Sequence, residues 1–303
     1  MRRISEYVGW VSGPPRNPTI GANVGLRRGR LTQPTRSTRQ SGFTLVEAIL
    51  VIVITGILAG VVSVFIRGPV QGYFDSARRA GLTDIADTAL RRMARDIQSA
   101  LPNSVRVSGG AFVEFVPIKS AGRYRAVVGG GAGDDALDFA SAADASFDVL
   151  GPTVTVASGD SVVIYNLGVP GADVYAGSSR RAASAPFGSV AKVAFSPAGT
   201  QFPFASPGSR FQVVSSAVTY ACDGAGNLWR YAYAIQSAQP AGIAALDGLG
   251  GTKALLASKL SACSFAYSAG ALERSGMVAA FLEIQEEGER VSLLHQINVI
   301  NTP

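Results

Sequence analysis

The feature that most constrains this chain is a run of 24 residues, Phe43 to Ile66, carrying one formal charge, Glu47. As an α-helix it spans about 36 Å at about 1.5 Å per residue, against about 30 Å of hydrocarbon in a bilayer. The run is mostly Val, Ile, Leu and Ala, with Gly56 and Gly60. It lacks the polar face that a helix packed on a soluble core keeps, so it reads as a membrane-crossing helix. Charge gives the orientation. Residues 1–42 hold eight arginines and one acid, Glu6, a balance of +7, and because the whole chain sums to +6 the remainder is −1. Arginines ahead of a span keep that end in the cytoplasm, and the body after Ile66 is then exported. The basic character belongs to the N-terminal arm, and nothing in the nearly neutral body calls for nucleic acid.

A cleaved secretory signal fits poorly, because the apolar region is too long and no Ala-x-Ala follows it. A plain signal anchor fits the hydropathy equally well, but it leaves Glu47 and the abrupt Gly42–Phe43 junction without a reason. The stretch Ser41-Gly42-Phe43-Thr44-Leu45-Val46-Glu47 resembles the class III signal of type IV prepilins and pseudopilins: a glycine, an apolar first residue, then a glutamate one helical turn on. The resemblance implies that prepilin peptidase cuts between Gly42 and Phe43 and that Phe43 is N-methylated. Its further implied partners are other pilin subunits through their N-terminal helices, the inner-membrane pilus assembly machinery and inner-membrane lipid. The implied location is the inner membrane, single-pass with the head periplasmic, and then a filament. A glycine without Cβ suits a chain held extended by a protease. Glu47 lies about 6 Å along the helix from the new terminus, near enough to the interface to reduce the roughly 2.5–3.5 kcal/mol cost of a charge at midplane. In a filament its natural partner is the α-amino group of Phe43 on a neighbouring subunit, since either charge left alone in an apolar bundle is costly. The arm of residues 1–42 contains Pro14, Pro15, Pro18 and Pro34, which argue against a long helix there. It is long for such a leader, and both a genuinely long leader and a later true start fit it.

After Arg67-Gly68-Pro69 the pattern turns amphipathic. Leu82, Ala86, Ala89 or Leu90, Met93, Ile97 and Leu101 follow helical spacing, with Arg78, Arg79, Asp84, Asp87, Arg91, Arg92, Arg95 and Asp96 on the other faces and Pro102 as a stop. The pattern predicts one helix from about Thr44 to Ala100 with a bend or local break near Gly68-Pro69, its second half resting on a sheet. The stretch from Ala89 to Val107 is similar to minor pilins of mannose-sensitive haemagglutinin pili and, more loosely, to J-type minor pseudopilins of type II secretion. The implied fold is α+β and pilin-like: a leader over 1–42, a transmembrane and assembly helix over 43–101, and a β-rich head over 102–303. The implied function is that of a minor pilin in initiation or at the tip; a secretion pseudopilin and a tip adhesin are the competing readings.

Nine segments of the head read as strands: Phe112–Val116, Ala136–Ala140, Ser161–Asn166, Val190–Phe195, Phe211–Tyr220, Leu228–Ile235, Cys263–Tyr267, Met277–Glu283 and Val291–Val299. Asp223-Gly224-Ala225-Gly226-Asn227 reads as a hairpin turn. Cys222 and Cys263, both exported, can pair in an oxidising periplasm, closing a loop of about 40 residues worth up to about 4 kcal/mol; free thiols are the alternative. Catalytic and cofactor chemistry is not visible. His295 is the only histidine, which excludes a multi-His metal site, and no nucleophile elbow or P-loop is present. Gly129, Gly130, Gly131 and Gly133 complete no dinucleotide fingerprint. Asp134, Asp135 and Asp138 match no calcium loop and read as solvated carboxylates. Trp229, Tyr231 and Tyr233 alternate along a strand and read as sheet packing. The expectation is a non-enzyme without metal or cofactor.

Overall fold

The computed structural model describes residues 42–196, 201–269 and 275–303. All of the basic arm except Gly42 therefore lies outside the described residues. A single helix, α1 (Leu45–Gln98), is followed by β1 (Arg106–Ser108), β2 (Phe112–Phe115), β3 (Ile118–Tyr124), β4 (Ser146–Leu150), β5 (Val154–Val156), β6 (Ser161–Val163), β7 (Arg180–Ser184), β8 (Gly188–Val190) and β9 (Lys192–Phe195). Then come β10 (Arg210–Val214), β11 (Ala217–Cys222), β12 (Leu228–Tyr233), the short α2 (Ile243–Asp247), β13 (Thr252–Ala257), β14 (Leu260–Ser268), β15 (Ser275–Glu286) and β16 (Glu289–Ile300). A long apolar helix followed by antiparallel sheets is the α+β, pilin-like layout the sequence predicts. The chain divides into two units at Val61–Val62, within α1.

In the first unit the described residues from Leu45 onward are helical, and apolar side chains such as Leu45 and Ile52 are exposed. α1 continues through Pro69 without the expected break. A proline here removes one donor, leaving the Phe65 carbonyl without its helical partner. With complete turns on both sides, that single loss does not end the helix.

In the second unit the stripe read from sequence is the buried one: Leu82, Ala86, Ala89, Leu90, Met93 and Ile97 are all buried. Ala89, Leu90, Met93 and Ile97 share a core with Val113 and Phe115 of β2, Val218 and Tyr220 of β11, Leu228 of β12, and Val278, Ala280 and Leu282 of β15. Leu82 and Ala86 meet Ile284. The strands contribute alternate residues because successive side chains of a strand point to opposite faces. Polar contacts reinforce the packing. The Asp96 carboxylate accepts from the Tyr220 hydroxyl at 2.7 Å and from Arg230 Nε at 2.8 Å. Arg78 and Arg79 reach Glu287 and Glu289 at 2.6 Å each, at the two-residue turn between β15 and β16.

The strands form a five-stranded sheet in the order β1-β2-β11-β12-β13, a three-stranded sheet β14-β15-β16, a pair β5-β8, and a closed barrel β10-β3-β4-β9-β7-β6. β2 and β11 are adjacent and antiparallel, Val218 opposite Phe115, so residues 118–214 form an insertion between two neighbouring strands. The barrel has its own core, including Tyr124, Phe147, Phe195 and Phe211. A third core, containing Val163, Tyr175 and Val214 on the barrel side and Tyr231, Tyr233 and Leu246 on the sheet side, joins the barrel to the face of the five-stranded sheet turned away from α1.

Three strand expectations are corrected. The run Val190–Phe195 divides at Ala191 into the last residue of β8, which pairs with β5, and β9, in the barrel. The run Phe211–Tyr220 divides at Ser215-Ser216 into β10, in the barrel, and β11, in the sheet. Residues 136–140 are not a strand. There the backbone N–H of Asp138 goes to the Asp144 carboxylate at 2.7 Å and that of Ala140 to the Asp138 carboxylate at 2.8 Å; such side-chain acceptors compete with a ladder. Ser161–Asn166 keeps only its first three residues as β6, while β14, β15 and β16 extend beyond the segments read from sequence.

On the face of β2 turned to the barrel, the fully buried Glu114 holds Arg106 Nε at 2.7 Å across the β1–β2 pair. Arg106 also donates to the carbonyls of Ser237 and Gln236, and its guanidinium lies 3.6 Å from the centre of the Tyr175 ring. Burial raises the Glu114 pKa, and the Arg106 hydrogen bond and charge only partly oppose this. A carboxyl with a raised folded-state pKa contributes stability that is present below its unfolded pKa and lost as pH rises through the folded value. The urea midpoint of the wild-type protein should therefore contain a component that falls as pH rises above about 4.3, the ordinary Glu pKa. Glu114→Gln should remove that component, which paired urea titrations of the two proteins across this range will check.

Candidate processing and assembly segment

Thr44 is the N-cap of α1. Its hydroxyl accepts the Glu47 backbone N–H at 3.2 Å, and its carbonyl accepts the first helical bond, from Ala48 N–H, at 3.0 Å. Thr44-Leu45-Val46-Glu47 thus has the spacing of a capping box, Ser/Thr-x-x-Glu. That signal lies in plain view in the sequence and went unread there. Glu47 is the acid of the first turn, where it faces the positive end of the helix dipole. Gly42 and Phe43 precede the cap and are exposed. A Cβ built on Gly42 would meet nothing within 4 Å, so the fold itself places no demand for glycine at this position.

From this cap the helix presents apolar side chains on every side: Phe43 is 67% exposed, Leu45 77% and Phe65 77%. No residue in the most apolar 18-residue window of α1 is buried, and the helix is long and apolar enough to cross a membrane. Gly42, Phe43 and Glu47 therefore lie together at the N-terminal edge of an apolar surface that needs lipid or other apolar helices to cover it.

The description "Prokaryotic N-terminal methylation motif" matches residues 37–63, which include Gly42, Phe43, Glu47 and most of the apolar run. With the long helix behind it, this prepilin-like signal supports a type IV pilin-like protein, a class that is structural rather than catalytic. It supports a pilin or pseudopilin processed by prepilin peptidase, assembling with other pilins and anchored by one apolar N-terminal helix. No curated protein and no solved structure matches the chain.

The remaining residues singled out from sequence lie in the head. Cys222, at the end of β11, and Cys263, in β14, are disulfide-bonded with their Cα atoms 6.1 Å apart. The bond ties the five-stranded to the three-stranded sheet beside the turn of residues 223–227. In that turn Asp223 Oδ1 accepts the N–H groups of Ala225 and Asn227, and Gly224 and Gly226 take φ of 72° and 92°. Burial raises the Asp223 pKa, but the Asn227 and Trp229 side-chain hydrogen bonds and the turn amides outweigh it and hold it down at about 2.

Tyr231 and Tyr233 are buried in the core between sheet and barrel, and Trp229 packs against it. His295 faces a shallow hollow with Arg91 and Arg95 of α1. The Asp134 carboxylate accepts the amides of Gly129 and Gly131 at 3.0 and 3.3 Å and pairs with Arg125 at 3.3 Å. Asp135 pairs with Lys192 at 2.8 Å. These carboxylates thus serve to fold the loop, and among the described residues no group of three or more His, Cys, Asp or Glu is placed to hold a metal ion. The cysteine bond gives a direct test. Reduction, or Cys222→Ser with Cys263→Ser, should destabilise the head by up to about 4 kcal/mol in the chain-entropy account, seen as a lower urea midpoint that dithiothreitol does not shift further in the double variant.

Proposed function

We propose that this chain is a minor pilin of a mannose-sensitive haemagglutinin-like adhesion pilus. Prepilin peptidase removes residues 1–42, Phe43 becomes the methylated N-terminus, and the helix over 43–101 holds the protein in the inner membrane with the head over 102–303 in the periplasm. The subunit then leaves the lipid and packs its apolar helix among those of other pilins, with the assembly machinery of the inner membrane supplying the lift. Glu47 pairs with the Phe43 ammonium of a neighbour and sets the axial register. The observation that carries the reading is the methylation motif over 37–63 at the start of a helix whose apolar surface is uncovered.

The position in the filament is read from the head. The insertion of 118–214 between β2 and β11 makes it bulky for a repeating shaft subunit, which favours initiation or the tip. The second reading, a type II secretion pseudopilin, draws on the resemblance of the stretch from Ala89 to Val107 and shares every step up to the filament. On either reading the protein is a structural subunit and not an enzyme.

Gly42→Val should leave the precursor uncut, so that intact mass spectrometry finds residues 1–42 retained, whereas the wild-type chain begins at a methylated Phe43. Glu47→Ala should be cleaved normally yet reach filaments at least tenfold less than wild type, measured by immunoblot of sheared pili. Normal incorporation of that variant would remove the pairing of Glu47 with a neighbouring amine.

A further inference from the structure

A cavity between the barrel and the five-stranded sheet is lined by Ser161 of β6, Arg180 of β7, Ser196 just after β9, Ser215 between β10 and β11, and Ile235 beyond β12. Arg180 is half-buried, and among the described residues its guanidinium has no ion-pair or hydrogen-bond partner. It stands apart in this respect. The other half-buried arginines each hold a carboxylate: Arg106 holds Glu114, Arg125 holds Asp134 and Asp148, and Arg230 holds Asp96. Arg181 lines the same cavity, but its guanidinium serves the carbonyl oxygens of Gly177, Ser178, Arg180 and Gln201 and lies over the Phe202 ring. Burial pushes the Arg180 pKa down, opposed in part by the charge of Asp173. A guanidinium half removed from water and without an acceptor among the described residues is incompletely satisfied, and an anion entering this open cavity would satisfy it.

We propose that this cavity binds a small acidic saccharide through its carboxylate. A guanidinium is a planar fork that matches a carboxylate with two parallel hydrogen bonds. Among the described residues, Arg180 and Arg181 set against the nearby Asp173 leave one net positive charge, which suits a single negative charge better than a doubly charged phosphate. The serine hydroxyls each donate and accept, as sugar hydroxyls do. Those of Ser161 and Ser215 are unengaged among the described residues, and that of Ser196 shares a 3.2 Å contact with Ser184. Ile235 is the one large apolar side chain in the lining, too little to hold a hydrophobic acid. All the lining residues come from one chain, so the inference does not rest on filament assembly, and the uncleaved precursor should bind as the mature protein does.

The test is calorimetric titration of the detergent-solubilised full chain with glucuronate, glucose, acetyl-alanine and inorganic phosphate. Glucuronate should bind saturably; glucose should not bind; acetyl-alanine and phosphate should bind at least fivefold more weakly. Arg180→Gln should weaken glucuronate at least tenfold and Ser161→Ala several-fold, with Arg180→Lys intermediate because it keeps charge but loses the fork. Melting curves establish that each variant is folded, and if Arg180→Gln is not, Arg180→Lys and Ser161→Ala carry the comparison. No saturable glucuronate binding, or binding indifferent to these substitutions, overturns the site. Acetyl-alanine or phosphate binding as tightly as glucuronate overturns the saccharide assignment.

Discussion

The head is organised around the burial of one helical stripe. Ala86, Ala89, Met93 and Ile97 are wholly inaccessible, and the strands that cover them come from as far along the chain as Phe115 and Val299. Large-to-small changes in such a core cost roughly 2–5 kcal/mol each, comparable to much of the stability of a domain. The stripe therefore fixes which residues of β2, β11, β12 and β15 face inward, and with them the register of both sheets. The Asp96 carboxylate, shared between Tyr220 and Arg230, sits at the margin of this core. It brings polar groups of two strands onto the same helix without placing an unpaired charge inside.

The second consequence is that the five-stranded sheet is covered on both faces. Val113, Phe115, Val218 and Tyr220 face α1, while Phe112, Ala217, Ala221 and Tyr231 face the barrel. Because β2 and β11 stay paired, the inserted barrel adds a layer without disturbing the helix core. The Glu114–Arg106 pair lies on the sheet face that meets this added layer, where Arg106 gathers the Tyr175 ring and the carbonyls that follow β12 beside one buried carboxylate. A buried pair is weak evidence for stability. Its value here is positional: Arg106 holds Glu114 Oε2 at 2.7 Å, while Glu114 Oε1 has no hydrogen-bond partner among the described residues.

Legibility followed the periodicity. The helix stripe, and the long alternations of β15 and β16, repeat over enough residues that pattern alone identifies them, and in the helix the inward residues were readable one by one. Of the barrel, β3, β4 and β7 were not readable, because each is only five to seven residues long and alternates large apolar residues over too few positions for a period of two to stand out. The split of Phe211–Tyr220 was hidden for a related reason. Val213, Val214, Ala217 and Val218 read as one apolar run, although the first two belong to the barrel and the last two to the sheet. In the candidate processing segment Gly42, Phe43 and Glu47 are picked out by resemblance to a signal, and at Gly42 the fold itself makes no demand for glycine. Thr44, which the fold does use, was overlooked because the glutamate three residues on already had an explanation.

That double explanation bears on how Glu47 works. In the first turn it lies where helix N–H groups lack partners, so its charge is favoured within its own chain before any neighbour arrives. This local stabilisation is screened by water and falls away within a turn. In the proposed filament, where apolar helices would surround the segment, the same carboxylate would lose its hydration and its attraction to a nearby ammonium would grow as the dielectric falls. On that proposal, a residue tolerated alone and strongly satisfied only in company suits a helix that is held in lipid before it assembles. Within the head, the barrel and the Arg180 cavity lie across the five-stranded sheet from the helix stripe. The proposed saccharide site and the buried helix stripe are therefore separate surfaces of the head.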